Sequence, residues 1–218
     1  MIMRYFGKKE FLTLTILCLI GLSCKNSKSS SENHLPYFNS PAFTPEWENE
    51  ISDSYHSIGK FSFTNQNGET VDINTVANKI YIANFFFTIC PGICPVMTDN
   101  MYRIQEEFKS NSDFLLLSHT VTPWIDTVER LKAYADEKKV NSKKWHLLTG
   151  SEDEIYNLAR ASYFADKEIG HKSEEEDFLH TENFILVDKN QRIRGVYNGT
   201  ITSDITRLIQ DVRILMME

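Results

Sequence analysis

The stretch "NFFFTICPGICPVMTD", residues 84–99, joins an aromatic run to a helix-like segment through two cysteines set four apart, each followed by a proline. With "KIYIA" before it, residues 79–87 form a β-rich apolar run of the kind expected of a buried strand. Pro95 suits the first turn of a helix over residues 95–109. Cys90 therefore falls just after a buried strand and Cys94 at the start of a helix, where unpaired N–H groups and the positive dipole end stabilise thiolates and lower their pKa values. A gap of two residues is the usual dithiol-exchange spacing. Three intervening residues carry the second sulfur about one helical turn on and let both thiolates converge on one metal ion.

Outward from this stretch the periodicities alternate between strand and helix. "FSFTNQNGETVDI", residues 61–73, reads as a hairpin turning at Asn67–Gly68. Downstream come an apolar strand "FLLLSHTV" (114–121), a helix "TVERLKAYADEK" (127–138) and a short strand "WHLLT" (145–149). A helix "EDEIYNLARAS" (152–162) follows, capped by Ser151 with Glu154 three residues on. A second hairpin, "NFILVD" (183–188) then "RIRGVYNG" (192–199), precedes a last helix from about Ser203 to Met217. This order predicts an α/β fold, a three-layer sandwich around one sheet, in the arrangement of a thioredoxin-like fold with an N-terminal hairpin extension. It occupies residues 55–218 as one domain, without internal repeats.

The N-terminus speaks to compartment. Arg4, Lys8 and Lys9 precede "FLTLTILCLIGL", residues 11–22, which carries no charge and is too short for a comfortable membrane span. Residues 1–23 thus read as a secretory leader, and Ser23–Cys24 resembles a bacterial lipoprotein junction that would make Cys24 the lipidated first residue. Leu22 stands two residues before Cys24 rather than the usual three, so an uncleaved N-terminal anchor is the alternative. Either way the remainder is extracytoplasmic and membrane-anchored, facing the periplasm. Residues 24–54 are assigned to a tether; 25–50 are polar, Ser-rich and then Pro-punctuated, as in a flexible spacer.

Of four cysteines, Cys18 lies in the leader and Cys24 at the junction, so the folded domain keeps only Cys90 and Cys94. A disulfide closing so short a loop restrains little unfolded-chain entropy, which makes a structural staple a weak explanation. Aromatics at 12% and hydrophobics at 41% supply a core for one domain. The net charge is −7, and removing a leader of charge +2 leaves −9, which argues against a nucleic-acid partner.

Two thiolates leave a metal undercoordinated, and six histidines could supply a third donor. His34 lies in the spacer, His56 precedes the first hairpin, and His146 sits in a strand, where a structural role is expected. His119 ends the central strand near the expected site and is a weaker candidate, while His171 lies in the charged loop "DKEIGHKSEEED" and reads as solvated. His180 is the best candidate: it stands in "FLHTENFILVD" immediately before a strand, at the end of a loose acidic arm over 166–179.

"FFFTICPGICPVM", with "HTENFILVD" about ninety residues later, resembles the Sco/SenC group of copper-binding thioredoxin-like proteins. The likeness runs from about Tyr55 to the last helix and includes "FSFTNQNG", Asp126–Thr127 and "WHLLTG". It implies Cys90, Cys94 and His180 as three copper ligands. It further implies delivery of copper to the dinuclear copper centre of cytochrome c oxidase subunit II, or to another copper-receiving protein. Where that group often has Asp before a proline after the central strand, this chain has Thr122–Pro123, so an acidic group that would tune the site is missing. Soft thiolates favour Cu(I), with Cu(II) wanting a further, harder donor. Zinc would also accept such donors but generally wants four. A thiol-disulfide oxidoreductase using Cys90 and Cys94 on a partner's cysteines stays open as the alternative, and a peroxide-reducing enzyme as a third.

Overall fold

The structure, a computed structural model, describes residues 34–48, 51–52, 54–165 and 181–218. Cys24, the leader, His171, His180 and the acidic arm lie outside the described residues. Strands β1 (Tyr37–Phe38) and β2 (Pro45–Glu46) pair with each other. Then come β3 (Ser62–Asn65), β4 (Thr70–Asp72), β5 (Ile80–Phe86), helix α1 (Cys94–Glu107), β6 (Phe114–Thr120), α2 (Val128–Glu137), β7 (Trp145–Thr149), α3 (Glu152–Ser162), β8 (Asn183–Val187), β9 (Ile193–Asn198) and α4 (Thr202–Met217). The main sheet has the order β4-β3-β7-β6-β5-β8-β9, with β5, β6 and β7 parallel and the flanking pairs antiparallel.

Every residue of β5 and β6 is buried, which explains why these strands read as nearly continuous apolar runs. The strand period of two then divides them between two cores. Ile80, Ile82 and Phe86 of β5 pack with Met97, Met101 and Ile104 of α1, Leu131 of α2 and Leu208 of α4. Tyr81, Ala83 and Phe85 face the other way, toward Phe61, Phe63 and the α3 residues Ile155, Leu158 and Ala159. Helices α1, α2 and α4 therefore cover one face of the sheet and α3 the other, the three-layer thioredoxin-like arrangement expected. The first hairpin turns where predicted: Gly68 takes φ +78°, a conformation that costs glycine little. Its N–H donates to Asn65 O at 2.9 Å.

Two local expectations differ. Ser151 stands at the N-cap of α3, but its side chain makes no capping hydrogen bond; Glu152, Asp153 and Glu154 instead place negative charge at the helix start. The larger difference is in the expected spacer, whose residues 34–48 are packed on the domain. Arg194 of β9, its side chain 2% exposed, donates from Nη2 to Leu35 O at 2.7 Å and from Nε to Pro36 O at 3.1 Å. Its guanidinium lies 4.1 Å from the Tyr37 ring centroid and is neutralised by Asp188 (3.3 Å) and Glu218 (2.6 Å). Leu35 enters one core, while Phe38 and Phe43 pack against the other. Composition reads this strap as solvated because the residues that hold it lie about 160 positions downstream.

The register of β5 with β6 fixes where function can sit. Phe86 pairs with Thr120, so the two strands end level and the loops after them emerge side by side. β5 is also where the sheet changes sense, parallel to β6 on one side and antiparallel to β8 on the other. Ligand sites of open α/β sheets favour such a crevice at the carboxyl ends of strands.

Candidate metal site

The loop of residues 87–93 leaves β5 and enters α1 at Cys94, one residue ahead of the expected start. The residue before the helix, Ile93, provides no side-chain cap, and a proline occupies the first turn. The first N–H groups of a helix need partners, and here the Cys90 sulfur supplies one. It accepts hydrogen bonds from the backbone N–H groups of Gly92, Ile93 and Cys94, and from the Cys94 thiol. Both cysteines are free, Cys90 partly exposed and Cys94 4% exposed.

The two thiols are unequal, although the helix N-terminus is expected to lower both. Burial pushes Cys90 up, but the hydrogen bonds from the Cys94 thiol and the loop N–H groups outweigh it and hold Cys90 below the ordinary thiol value. Cys94 is raised, first by burial, against a hydrogen bond from the Phe87 N–H, with the Cys90 sulfur and the Asp126 carboxylate adding to the rise. Cys90 is the sulfur that ionises and meets solvent, and Cys94 stands behind it holding a proton. A soft cation meeting this pair would displace that proton and take both sulfurs.

A cleft of about 770 Å³ opens beside Cys90, walled by Phe87, Ile93, Pro41 and Phe43 of the strap, Phe164 and Glu182. Ala165 and Thr181, the described residues that flank 166–180, line the same cleft. His180 itself lies outside the described residues, one peptide bond before Thr181. Among the described residues no group of three His, Cys, Asp or Glu side chains is placed to hold a metal.

The other histidines are elsewhere. His119 pairs with Phe85 in the sheet and sits with it on the face opposite Cys94, fully buried among the rings of Phe61, Phe63, Phe85 and Tyr163. It is not part of the cysteine site. His146 faces Asn65 Nδ2 at 3.3 Å inside the sheet, and His56 Nε2 lies 2.7 Å from Ser162 O. Thr122 leaves the position before Pro123 without an acid, but Asp126, four residues on and fully buried, reaches beneath the cysteine loop. Its sequence signal was an aspartate just before the helix N-cap Thr127, with Thr88, Thr120 and Thr122 around the ends of adjacent strands.

A family described as SCO1/SenC matches residues 49–217. The chain belongs to the SCO1/SenC family. This SCO1/SenC protein is 33% identical over 161 residues to the SCO1 protein homolog of Bacillus subtilis (strain 168), covering 72% of this chain and 82% of that one. It resembles the structure of BsSco, a member of the Sco family of cytochrome c oxidase assembly proteins described as having a disulfide switch (TM-score 0.64, 29% identity, 78% of this chain and 100% of that one). It also resembles Arabidopsis thaliana ScoI, crystallised with copper bound (TM-score 0.56, 27% identity, 71% of this chain and 97% of that one). Among the described residues of this SCO1/SenC protein no helix is long and apolar enough to cross a membrane.

Proposed function

We propose that the protein is an extracytoplasmic copper carrier, held to a membrane through lipid on Cys24. In this reading it carries Cu(I) on Cys90, Cys94 and His180 and passes it to subunit II of cytochrome c oxidase, or to another copper-receiving protein. The observation that carries the reading is the hydrogen-bonded pair of free thiols at the entry to α1, with Cys90 on the wall of a cleft that Thr181 also lines. A two-sulfur set is soft and suits Cu(I); an imidazole arriving from residue 180 would complete a trigonal site. Residues 1–23 serve as the leader, and the tether spans the chain between Cys24 and the point where Arg194 takes hold of it.

The test is copper content after purification under reducing conditions. The wild type should hold about one copper per chain, consistent with a single three-donor site. His180→Ala should lose most of it while still forming and reducing a Cys90–Cys94 disulfide; Cys90→Ala or Cys94→Ala should lose both properties. Wild-type copper affinity in His180→Ala would overturn the ligand assignment. The unequal thiols favour a second reading, in which the pair reduces the cysteines of the recipient: Cys90 attacks and Cys94 resolves the mixed disulfide. Cells carrying His180→Ala that keep full oxidase activity, while the cysteine variants lose it, would make this reading the leading one.

A further inference from the structure

Asp126 is 0% exposed, and an ionised carboxylate so placed is costly unless its oxygens are satisfied. Its donors come from three separate places. Thr88, in the cysteine loop, gives both its N–H (3.2 Å to Oδ2) and its hydroxyl (2.5 Å to Oδ1). Thr120, ending β6, donates to Oδ2 at 2.5 Å, and Thr122 in the next loop donates at 3.1 Å. Arg130, one turn into α2, lies 3.6 Å from Oδ1 and donates from Nε to Thr88 Oγ1 at 2.7 Å. One carboxylate thus gathers the loop that carries Cys90, the end of the neighbouring strand and the start of α2.

We propose that Asp126 is a positioning residue for the Cys90–Cys94 pair, fixing through Thr88 the chain two residues before Cys90, an inference that rests on reading this pair as the working site. Cys94 is fixed independently, since it begins α1 and is buried in the core beneath that helix. Cys90 belongs to a loop that contains Pro91 and Gly92, both exposed, and Thr88 is where that loop is tied to the sheet and to α2. The tie requires an acceptor with two oxygens. In Asp126→Asn the amide group would turn a donor toward one of the threonine oxygens or leave a hydroxyl without its acceptor.

The experiment measures the equilibrium constant for disulfide formation in the full chain against mixtures of reduced and oxidised dithiothreitol. In this exchange the two cysteines give two protons and two electrons to the cyclic disulfide, and alkylation followed by mass measurement reads the ratio. A loosened Cys90 loop lowers the effective concentration of one sulfur at the other, so Thr88→Val and Asp126→Asn should each reduce the constant about tenfold, or about 30 mV. Thr88→Ser keeps the hydroxyl and should stay within about twofold of wild type. The Thr88→Val and Asp126→Asn effects should be less than additive in the double variant, as expected for one shared contact. Ser118→Ala breaks a buried hydrogen bond to Asn84 (2.5 Å) away from the cysteine loop. It should lower stability without moving the constant, which separates positioning from general destabilisation. Should Asp126→Asn fail to fold, Thr88→Val decides. Folded variants with a constant within about twofold of wild type would overturn the positioning role alone. A wild type that forms no Cys90–Cys94 disulfide at any ratio would overturn it together with the reading of the site.

Discussion

His119 carries no hydrogen bond on either ring nitrogen, although it is fully buried. The rings of Phe61, Phe63, Phe85 and Tyr163 stand 5.3–6.1 Å from it, and burial lowers its pKa from 6.5 to about 3. The folded protein therefore holds this imidazole neutral at a pH where the unfolded chain protonates it. The sign follows: stability from this group is intact above about pH 6.5, falls progressively as the pH drops toward 3, and falls no further below that. Linkage over those two values gives a loss of about 2 kcal/mol between pH 7 and pH 5. His119→Phe removes both the titration and the unsatisfied nitrogens while keeping a flat ring in the aromatic cage. Its packing cost is about 1–3 kcal/mol if the larger ring is crowded, but that cost is the same at both pH values. The assay is urea unfolding of reduced wild type and His119→Phe at pH 7 and pH 5. Relative to wild type, the variant should gain about 2 kcal/mol on going to pH 5. Parallel losses in the two proteins, differing by less than about 0.5 kcal/mol, would refute the reasoning.

Three further outcomes are expected. In the reduced, metal-free protein Cys90 should be alkylated first, with a pH midpoint below that of a free thiol, and Cys94 should be protected; equal rates at the two positions would contradict the hydrogen bonding described for Cys90. Arg194→Ala leaves two carboxylates and two carbonyls without their guanidinium and should cost about 3–5 kcal/mol in denaturant unfolding. It should also open residues 34–48 to limited proteolysis, and a strap as resistant as in wild type would count against Arg194 as its anchor. Cys24→Ser should release the protein into the soluble extracytoplasmic fraction or leave it unprocessed, and wild-type fractionation and gel mobility together would sink lipidation at that cysteine.

What could be read from the chain alone was whatever its neighbours in sequence determine. The run through β5, the loop to α1, the Asn67–Gly68 turn and the alternation of the remaining elements are local patterns, and the structure carries them at nearly the expected boundaries. The pairing of Cys90 with Cys94 was legible for the same reason. Their inequality was not, because it depends on how deeply α1 buries its first residue and on a carboxylate 32 positions away. The strap reads as a spacer because polar composition says nothing about an arginine waiting in β9. The threonines around Asp126 were equally hidden: each is unremarkable in its own segment, and only the level ends of β5 and β6 bring them to one point.

The way Arg194 grips the strap has a mechanical consequence. The guanidinium binds the chain at Leu35 and Pro36, upstream of Pro41 and Phe43, which form part of the wall beside Cys90. Tension arriving along the chain from before residue 34 is therefore borne at β9 before it reaches that wall. The arrangement works as strain relief on a cable works, with the clamp set ahead of the connector, so that under the proposed tether a pull on the chain would leave the surroundings of the sulfurs in register.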